Sequence, residues 1–277
     1  GTFTETQMRA TLAQVRNVLN DHVVPGMRDT VVDNATKIAT ESAKQTIDYL
    51  QSADREFRGV GTQSLSLDTA AIYDAADKGA KGSVLKRLMY GQGTAKAGIL
   101  RRYGEEVVGH FEAELQQGLL TKASWSDMRD SLIAKSPFLQ AAPAHWAERI
   151  ITTESLNAQN RANWESNRQA NAQLGDIVKI LSMVDDDRTC ADSYAVHGQI
   201  RRPDEFFETW QGQVQHPPAR PNDRETVITH RMVWPIPDYL QWRSDGEIAS
   251  RWRQKGNRRA MPPRPMMTTV PLNLFGK

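Results

Sequence analysis

A chain of 277 residues with a formal net charge of +2 and 25% charged residues has the composition of a globular protein with one large or two modest domains. The near-balanced charge gives no general reason to expect nucleic acid as a partner, and no apolar run reaches the roughly 18 residues that a membrane-spanning helix requires. The single cysteine, Cys190, excludes an intramolecular disulfide and favours a reducing, intracellular compartment. No signal peptide is expected at the first four residues.

Prolines and tryptophans are distributed unevenly along the chain. Of the 13 prolines only Pro25 precedes Pro137, and all seven tryptophans lie from Trp125 onward. Because proline interrupts helices, this asymmetry predicts a front part of long helices and a loop-rich back part. We expect a boundary near Gly118. Three regions are predicted: a helical N-terminal region over 1–117, a central domain over 118–235 and a C-terminal arm over 236–277.

Four helices are predicted in the front part of the chain, separated by glycine-containing breaks. They cover 5–22 (ending near Pro25), 29–57, 68–90 and 94–117. Their apolar stripes most simply bury against one another. A surface that binds a partner is the alternative, because small residues dominate the stripes. The clearest stripe consists of Leu100, Tyr103, Val107, Phe111 and Leu115.

After Gly118 the pattern remains helical up to Gly175. Ser124 is expected to cap a short helix over 125–134, and Pro143 to begin a longer helix that reaches about Gln173. Glu154 conflicts with this pattern, because it shares a face with alanines and an isoleucine. A carboxylate on an apolar face is costly unless it is paired. We therefore expect Glu154 to reach an arginine or a backbone amide, rather than to extend into solvent.

Two apolar, β-branched runs over 177–184 and 226–234 are predicted to form an antiparallel strand pair. Two polar motif loops lie between them, defined here as the first motif loop (185–190) and the second motif loop (216–225). Short helices are expected at 190–197, with a cap from Asp187 or Thr189 and a stop at Gly198, and at 203–210. The predicted fold class is therefore α+β: a long helical N-terminal region, a small mixed α/β domain and an extended basic tail.

The tail over 243–277 is basic, with eight lysines or arginines against Asp245 and Glu247. A poorly packed terminus is the simplest interpretation. The alternative is an arm that contacts an acidic protein surface or nucleic acid, because arginine beside tryptophan binds either one through charge and stacking. The candidate contact residues are Trp242, Arg243, Arg251, Trp252, Arg253, Lys255, Arg258 and Arg259.

No set of residues makes a convincing metal or catalytic site. The acids of the first motif loop lack the glycine of a calcium loop, and zinc usually requires more His or Cys. His216, Asn222 and His230 follow the order of a ββα-metal nuclease, but His230 falls within a strand. Cys190 precedes His197 by two helical turns, yet no third group orients the histidine. We expect no metal, no cofactor and no catalysis.

The order of these motifs resembles the phage Mu F-like head morphogenesis family, also called minor head or minor capsid proteins, over about residues 118–235. In that family a glycine-initiated helical segment leads to an Arg-Thr-Glu, then to Asp-x-Arg-Thr-Cys and a glycine, and finally to Pro-Pro-x-His-Pro-Asn-Cys-Arg-Cys. Here Thr152 stands where the family often has arginine. The matching positions are Gly118, Thr153, Glu154, Asp186, Arg188, Thr189, Cys190, Gly198, Pro217, Pro218, Pro221, Asn222 and Arg224.

The chain departs from the family pattern where members carry cysteine and histidine. Ser193 replaces a second cysteine, and Arg220, Asp223 and Glu225 replace a histidine and two cysteines. A metal cross-link through those side chains is therefore absent. We expect ion pairs to replace it, with Asp187 and Asp192 meeting Arg220 and Arg224, and Glu154 joining them, because arginine–carboxylate pairs fix geometry.

The resemblance implies a virion structural component made in the host cytoplasm and located inside or at the portal vertex of the capsid. It implies action in head morphogenesis, contact with the portal protein or the major capsid protein, and a role in DNA retention or ejection. The N-terminal helices and the basic arm are the expected contact regions, the arm with packaged DNA or a neighbouring protein. The alternatives are a toxin-like nuclease or nucleotide-modifying enzyme and a nucleic-acid-binding protein.

Overall fold

The computed structural model describes residues 4–58, 65–90, 98–218, 224–254 and 260–270. For residues 125, 128–129, 131–149 and 151 it describes the backbone alone. The fold class predicted from the sequence is confirmed: long helices form the N-terminal region, and a small antiparallel sheet follows. Within the described residues, no helix combines the length and the apolar character needed to cross a bilayer.

The chain divides into two compact units. Unit 1 comprises Gly1–Asn34 and Val84–Thr152, and unit 2 comprises Ala35–Ser83 and Thr153–Lys277. The boundaries fall inside helices α2 (Val24–Phe57), α3 (Thr69–Tyr90) and α5 (Trp125–Leu174). That the three regions expected from the sequence are separate functional parts stays a prediction.

Unit 1 is built around α1 (Glu5–Val18) and α4 (Ile99–Leu120). A π-helical turn, Leu19–Val23, joins α1 directly to α2, so the helix end expected near Pro25 is wrong. Pro25 lies just after this π-helical turn, whose wider spacing accommodates a residue that cannot donate to the preceding turn. The core of the unit consists of Leu12, Leu19, Val108 and Leu115.

Helix α5 is one continuous helix instead of the two expected. Ser124 caps it as expected: its Oγ accepts from the Asp127 N–H at 3.1 Å, and its own N–H donates to the Asp127 carboxylate at 3.2 Å. Gly175, with φ of +78°, follows the last turn, and its N–H donates to the Asn171 carbonyl at 2.8 Å. Gly118 is buried inside α4 and does not end it.

Unit 2 contains a three-stranded sheet in the order β2-β1-β5. Strand β1 (Ile177–Ser182) pairs antiparallel with β5 (Thr226–Arg231) along its whole length and with β2 (Ile200–Arg201) on its other side. The predicted strand pair is thus present. Helix α6 (Ala191–Val196) follows the first motif loop, and α7 (Asp245–Gln254) lies in the tail.

The short helix expected at 203–210 is wrong. Strand β3 (Phe207–Thr209) pairs there with β4 (Gly212–Val214). The Gln199 side chain explains the extended backbone, because its amide bonds both the N–H of Glu208 at 2.7 Å and the carbonyl of Glu208 at 3.0 Å. Phe207 is fully buried, so tertiary packing decides the local structure of this segment.

Small residues allow the helices of unit 2 to approach closely. Ala39, Ala43, Ala76 and Ala158 are completely buried. At Gly79, a Cβ would lie 2.4 Å from Cγ of Glu165, so α3 and α5 touch at this glycine. The small-residue stripes that the sequence places on these helices therefore form part of the interior.

Candidate functional site

The two motif loops meet through one arginine–carboxylate pair. Arg224 Nη1 and Nη2 donate to the two carboxylate oxygens of Asp186, each at 2.5 Å. Asp186 also accepts from the backbone N–H groups of Arg188 at 2.9 Å and Thr189 at 3.1 Å. The guanidinium first, and then these donors, hold the pKa of Asp186 below its usual range. This pair joins residues 38 positions apart, and it fixes the start of the first motif loop relative to the end of the second.

The partner of Arg224 differs from the one expected. Asp187 and Asp192 were expected to pair with the arginines, but Asp186 makes the contact. Asp187 is exposed, whereas Asp192 is buried and accepts from the Trp210 N–H at 3.2 Å. The reason is local: Asp186 is the acid whose position lets it cap the turn formed by the next three residues. Arg220 and Asp223 lie outside the described residues.

Cys190, Ser193 and Glu225 converge below this pair. Ser193 Oγ donates to the Glu225 carboxylate, and Cys190 Sγ lies 3.3 Å from Ser193 Oγ. Ser193 and Glu225 are both about nine-tenths buried. They occupy two positions at which the resembling family carries cysteines, and the fold brings these positions together. In this chain a hydroxyl–carboxylate hydrogen bond joins the two positions.

Thr189 connects this cluster to the sheet. Its Oγ1 donates to the Val184 carbonyl and accepts from Arg224 Nη2 at 3.2 Å. Cys190 is the N-cap residue of α6, but its side chain makes no capping hydrogen bond. The cap expected from Asp187 or Thr189 is therefore wrong, because Thr189 is used to bind the end of the strand instead.

Helix α5 contributes a buried polar face to the same region. Glu154 is completely buried and accepts from Asn157 Nδ2 at 3.2 Å, which excludes a side chain that extends into solvent. Asn160 Nδ2 donates to the Glu225 carbonyl at 2.9 Å, and its Oδ1 accepts from the Val227 N–H at 2.8 Å. Asn163 Nδ2 donates to the Val227 carbonyl at 3.2 Å. These asparagines supply the hydrogen bonds that another strand would otherwise make along the edge of β5.

Gly198 holds a position that only glycine fits without strain. Its φ is +77°, and a Cβ there would lie 2.7 Å from the Leu240 carbonyl oxygen and 2.7 Å from Cδ1 of Trp242. The Trp242 indole N–H donates to the Gly198 carbonyl at 2.8 Å. Trp242, a candidate contact residue, is thus packed on the motif glycine and remains 40% exposed.

The described part of the basic tail is largely engaged within the chain. Arg243 Nη2 donates to Asp185 at 2.8 Å, and Arg251 donates to the Tyr194 hydroxyl at 2.7 Å. Trp252 packs edge-on against Trp210, with 5.4 Å between ring centroids. Of the remaining candidates, Arg253 is exposed, whereas Lys255, Arg258 and Arg259 lie outside the described residues. Arg188, a motif residue in the first motif loop, is also exposed.

Two buried cations were missed by the sequence analysis. Lys179 in β1 is fully buried, with Nζ donating to the Gln215 carbonyl at 2.8 Å and lying 4.7 Å from the Phe207 ring centroid. Burial lowers the pKa of Lys179 to about 7. Arg201 in β2, opposite Lys179, donates to three backbone carbonyls. Lys179 could have been identified from the sequence, because a lysine inside an otherwise apolar strand needs a buried hydrogen-bond acceptor.

The histidines that suggested catalysis serve the fold. The Met183 N–H donates to His197 Nδ1 at 3.2 Å, and His197 Nε2 donates to the Tyr239 carbonyl at 3.0 Å, so both ring nitrogens are occupied. His230 Nδ1 accepts from the Tyr49 hydroxyl at 2.9 Å. Burial lowers the pKa of both histidines, which keeps them neutral near pH 7. His216 lies against Trp164 in a tilted arrangement, with ring centroids 6.0 Å apart and an interplanar angle of 36°.

The arrangement is suited to holding chain segments together. Within the described ranges, no group of three or more His, Cys, Asp or Glu side chains is placed to hold a metal ion. The side chains of Thr189, Ser193 and Arg224 bond backbone carbonyls or the carboxylates of Asp186 and Glu225. Such a network fixes one relative position of the two loops and leaves its polar atoms satisfied.

A comparison with protein families agrees with the motifs. A family model described as Phage Mu protein F like protein matches residues 105–228. The match begins in α4 and ends in β5, so it includes α5, both motif loops and α6. The resemblance drawn from the motifs is thereby confirmed for this segment. Searches of curated proteins and of solved structures found no significant match.

Proposed function

We propose, from the premise that residues 105–228 form a Phage Mu F-like region, that this protein is a minor head protein of a phage. It is a structural component of the virion that acts in head morphogenesis. The observation that carries this proposal is the pairing of Arg224 with Asp186 inside the matched region, which makes the motif residues a scaffold. A scaffold of this kind presents surfaces to neighbours without performing a reaction.

We place the protein at or near the portal vertex, with the portal protein or the major capsid protein as its partner. Unit 1 supports a protein contact, because Tyr90 and Leu120 are 76% and 80% exposed. The same unit has a groove of about 460 Å³ with an apolar floor that includes Leu19, Leu88 and Leu100. Met89 lines this groove and is 43% exposed. An exposed apolar side chain at a groove is typical of protein interaction sites.

The proposal includes a role in DNA retention or ejection through the tail. The sequence of the tail is basic, and among its described arginines Arg253 is exposed at the end of α7. Contacts with phosphate would make binding to DNA weaken steeply with salt. Because Arg243, Arg251 and Arg264 are bound within the chain, we expect the contact to be carried by Arg253 and the candidates Lys255, Arg258 and Arg259.

Co-purification with portal rings tests the proposal. The wild-type chain should be retained by immobilised portal rings, and the Tyr90→Asp and Leu120→Asp variants should lose retention, because a carboxylate in an apolar interface is costly. Phe206→Asp is the matched control, since Phe206 is 50% exposed in unit 2.

Two results would contradict the proposal. The first is the absence of the protein from purified heads. The second is metal-dependent hydrolysis of DNA or RNA that His216→Ala abolishes, which would indicate an enzyme instead.

A further inference from the structure

The C-terminal segment over residues 260–270 lies against the sheet in the way that a bound peptide does. The Ile200 N–H donates to the Met267 carbonyl at 2.7 Å, and Ile200 forms a parallel bridge with Thr268. The segment thus follows the free edge of β2, the outer strand of the sheet. Addition of an extended peptide to a sheet edge is a common mode of peptide recognition.

Side chains of the sheet region bind the backbone of this segment. The Trp210 indole N–H donates to the Pro263 carbonyl at 3.0 Å, and Arg201 Nη2 donates to the Met266 carbonyl at 2.6 Å. The Met266 N–H donates to the Glu208 carboxylate at 3.4 Å. Arg201 is only 1% exposed with the segment in place, so removal of the segment would expose its side chain and exchange the bond to Met266 for one to water. The groove therefore favours an occupied state.

Apolar side chains supply the specificity of this contact. Val270 is 2% exposed and packs in a cluster with Val178, Ile180, Ile200 and Leu240. Met267 is 8% exposed. Near the other end, Met261 packs against a second cluster, which contains Met183, Tyr194, Ala195 and Ile248.

Prolines limit the groove to one peptide. Pro262, Pro263 and Pro265 have no backbone N–H, so the outer side of the segment offers few donors for a further strand. Proline also favours the extended conformation before binding, which lowers the entropic cost of ordering the segment. We define the β2 edge with Arg201, Trp210 and the Val270 pocket as the peptide groove.

We propose that the peptide groove is a binding site that accepts residues 260–270 of a second copy of this chain in place of its own. Every contact named above would form identically between two copies, so exchange of the segment costs little free energy. In a single chain the segment competes at an effective concentration of about 1 mM. Exchange between copies therefore occurs where the copies are held close together. This inference stands independently of the proposed role in the phage head.

A labelled peptide of residues 260–270 tests the groove in the full-length chain. Val270→Asp should weaken the chain's own segment, because it places a carboxylate in an apolar cluster. The variant should then bind the peptide, and a peptide carrying the same substitution should not bind. Ala260→Asp is the matched control, since Ala260 is exposed on the same segment. With a peptide Kd of about 10 µM and an internal competitor at about 1 mM, the wild type and the control should bind about 100-fold more weakly.

Two further measurements keep the test decisive. Met267→Ala weakens the same segment without a buried charge, and it should also bind the peptide more tightly than the wild type. Sedimentation at chain concentrations up to about 1 mM should show a dimer for the wild type and for Ala260→Asp, but not for Val270→Asp. The proposal is overturned if the peptide binds wild type and both weakened variants equally or not at all. A wild type that stays monomeric at these concentrations overturns exchange between copies.

Discussion

Replacement of Gly198 by alanine tests the packing of the tail on the motif region. At φ of +77° an alanine is strained, and its Cβ would lie 2.7 Å from the Leu240 carbonyl oxygen and 2.7 Å from Cδ1 of Trp242. Neither neighbour moves freely, because one is backbone and the Trp242 ring is held by its 2.8 Å hydrogen bond to the Gly198 carbonyl. The substitution therefore combines backbone strain with overpacking.

The magnitude follows from these two contributions. A left-handed backbone conformation costs a residue with a Cβ about 1–2 kcal/mol, and overpacking adds about 1–3 kcal/mol. We expect Gly198→Ala to lower the free energy of unfolding by about 2–5 kcal/mol. Gly175→Ala provides a matched control, because Gly175 has φ of +78° but nothing within 4 Å of a Cβ. Its expected cost is the strain alone, about 1–2 kcal/mol.

Urea denaturation of the wild type and the two variants measures this difference. Tryptophan fluorescence should report the transition, since Trp242 lies at the altered site. The reasoning predicts that Gly198→Ala shifts the midpoint to clearly lower urea than Gly175→Ala does. Equal midpoints for the two variants would refute the claim that the Trp242 ring and the Leu240 carbonyl make Gly198 obligatory.

Three further predictions concern buried or paired polar groups. Asn160→Leu should lower the free energy of unfolding by about 2–6 kcal/mol, because it leaves two buried backbone groups unpaired at about 1–3 kcal/mol each. Asn167→Leu should leave the free energy of unfolding unchanged or raise it, because both side-chain polar atoms of Asn167 are buried without a hydrogen-bond partner in the described chain. Similar losses of stability in Asn160→Leu and Asn167→Leu would contradict this. Because the folded pKa of Lys179 is about 7 and the unfolded value is about 10.4, stability should fall as pH is lowered from 10 to 7 in thermal melts. Lys179→Met should remove that slope, and an unchanged slope would place the titrating group elsewhere. A double-mutant cycle with Asp186→Asn and Arg224→Gln should show favourable coupling at pH 7. Because the Arg224 guanidinium lowers the pKa of Asp186 in the folded chain, the coupling should begin to weaken below about pH 4, the unfolded value, and be lost only as pH falls through the lowered folded pKa; coupling that does not weaken below about pH 4 would contradict this ion pair.

The sequence was sufficient for α3, α4 and the central strand pair. Periodicity identified the helices at 69–90 and 99–120, and the β-branched runs identified β1 and β5 as antiparallel partners. Their patterns are strong because each buries one continuous face. The helix end expected near Pro25 is wrong, because a π-helical turn just before this proline carries the helix past the missing N–H.

The details of the motif region depended on tertiary contacts that one sequence does not display. An ion pair between an acid of the motif region and Arg224 was predicted. Its acid is Asp186, and not Asp187 or Asp192, because Asp186 also caps the turn that follows it. The strand at 207–209 depends on the Gln199 side chain, which lies nine residues before Glu208 and outside the strand. No periodicity records such a contact. The asparagine spacing along α5 did contain a readable signal, namely polar side chains at three-residue intervals facing a strand edge.

An asymmetric electron cryomicroscopy reconstruction of the portal vertex in DNA-filled heads tests the central claim most directly. The account predicts density next to the portal that fits unit 2, with the two motif loops joined as Asp186 and Arg224 join them here. Heads that are complete and infectious yet contain no such density, and no copy of the chain by mass spectrometry, would contradict it.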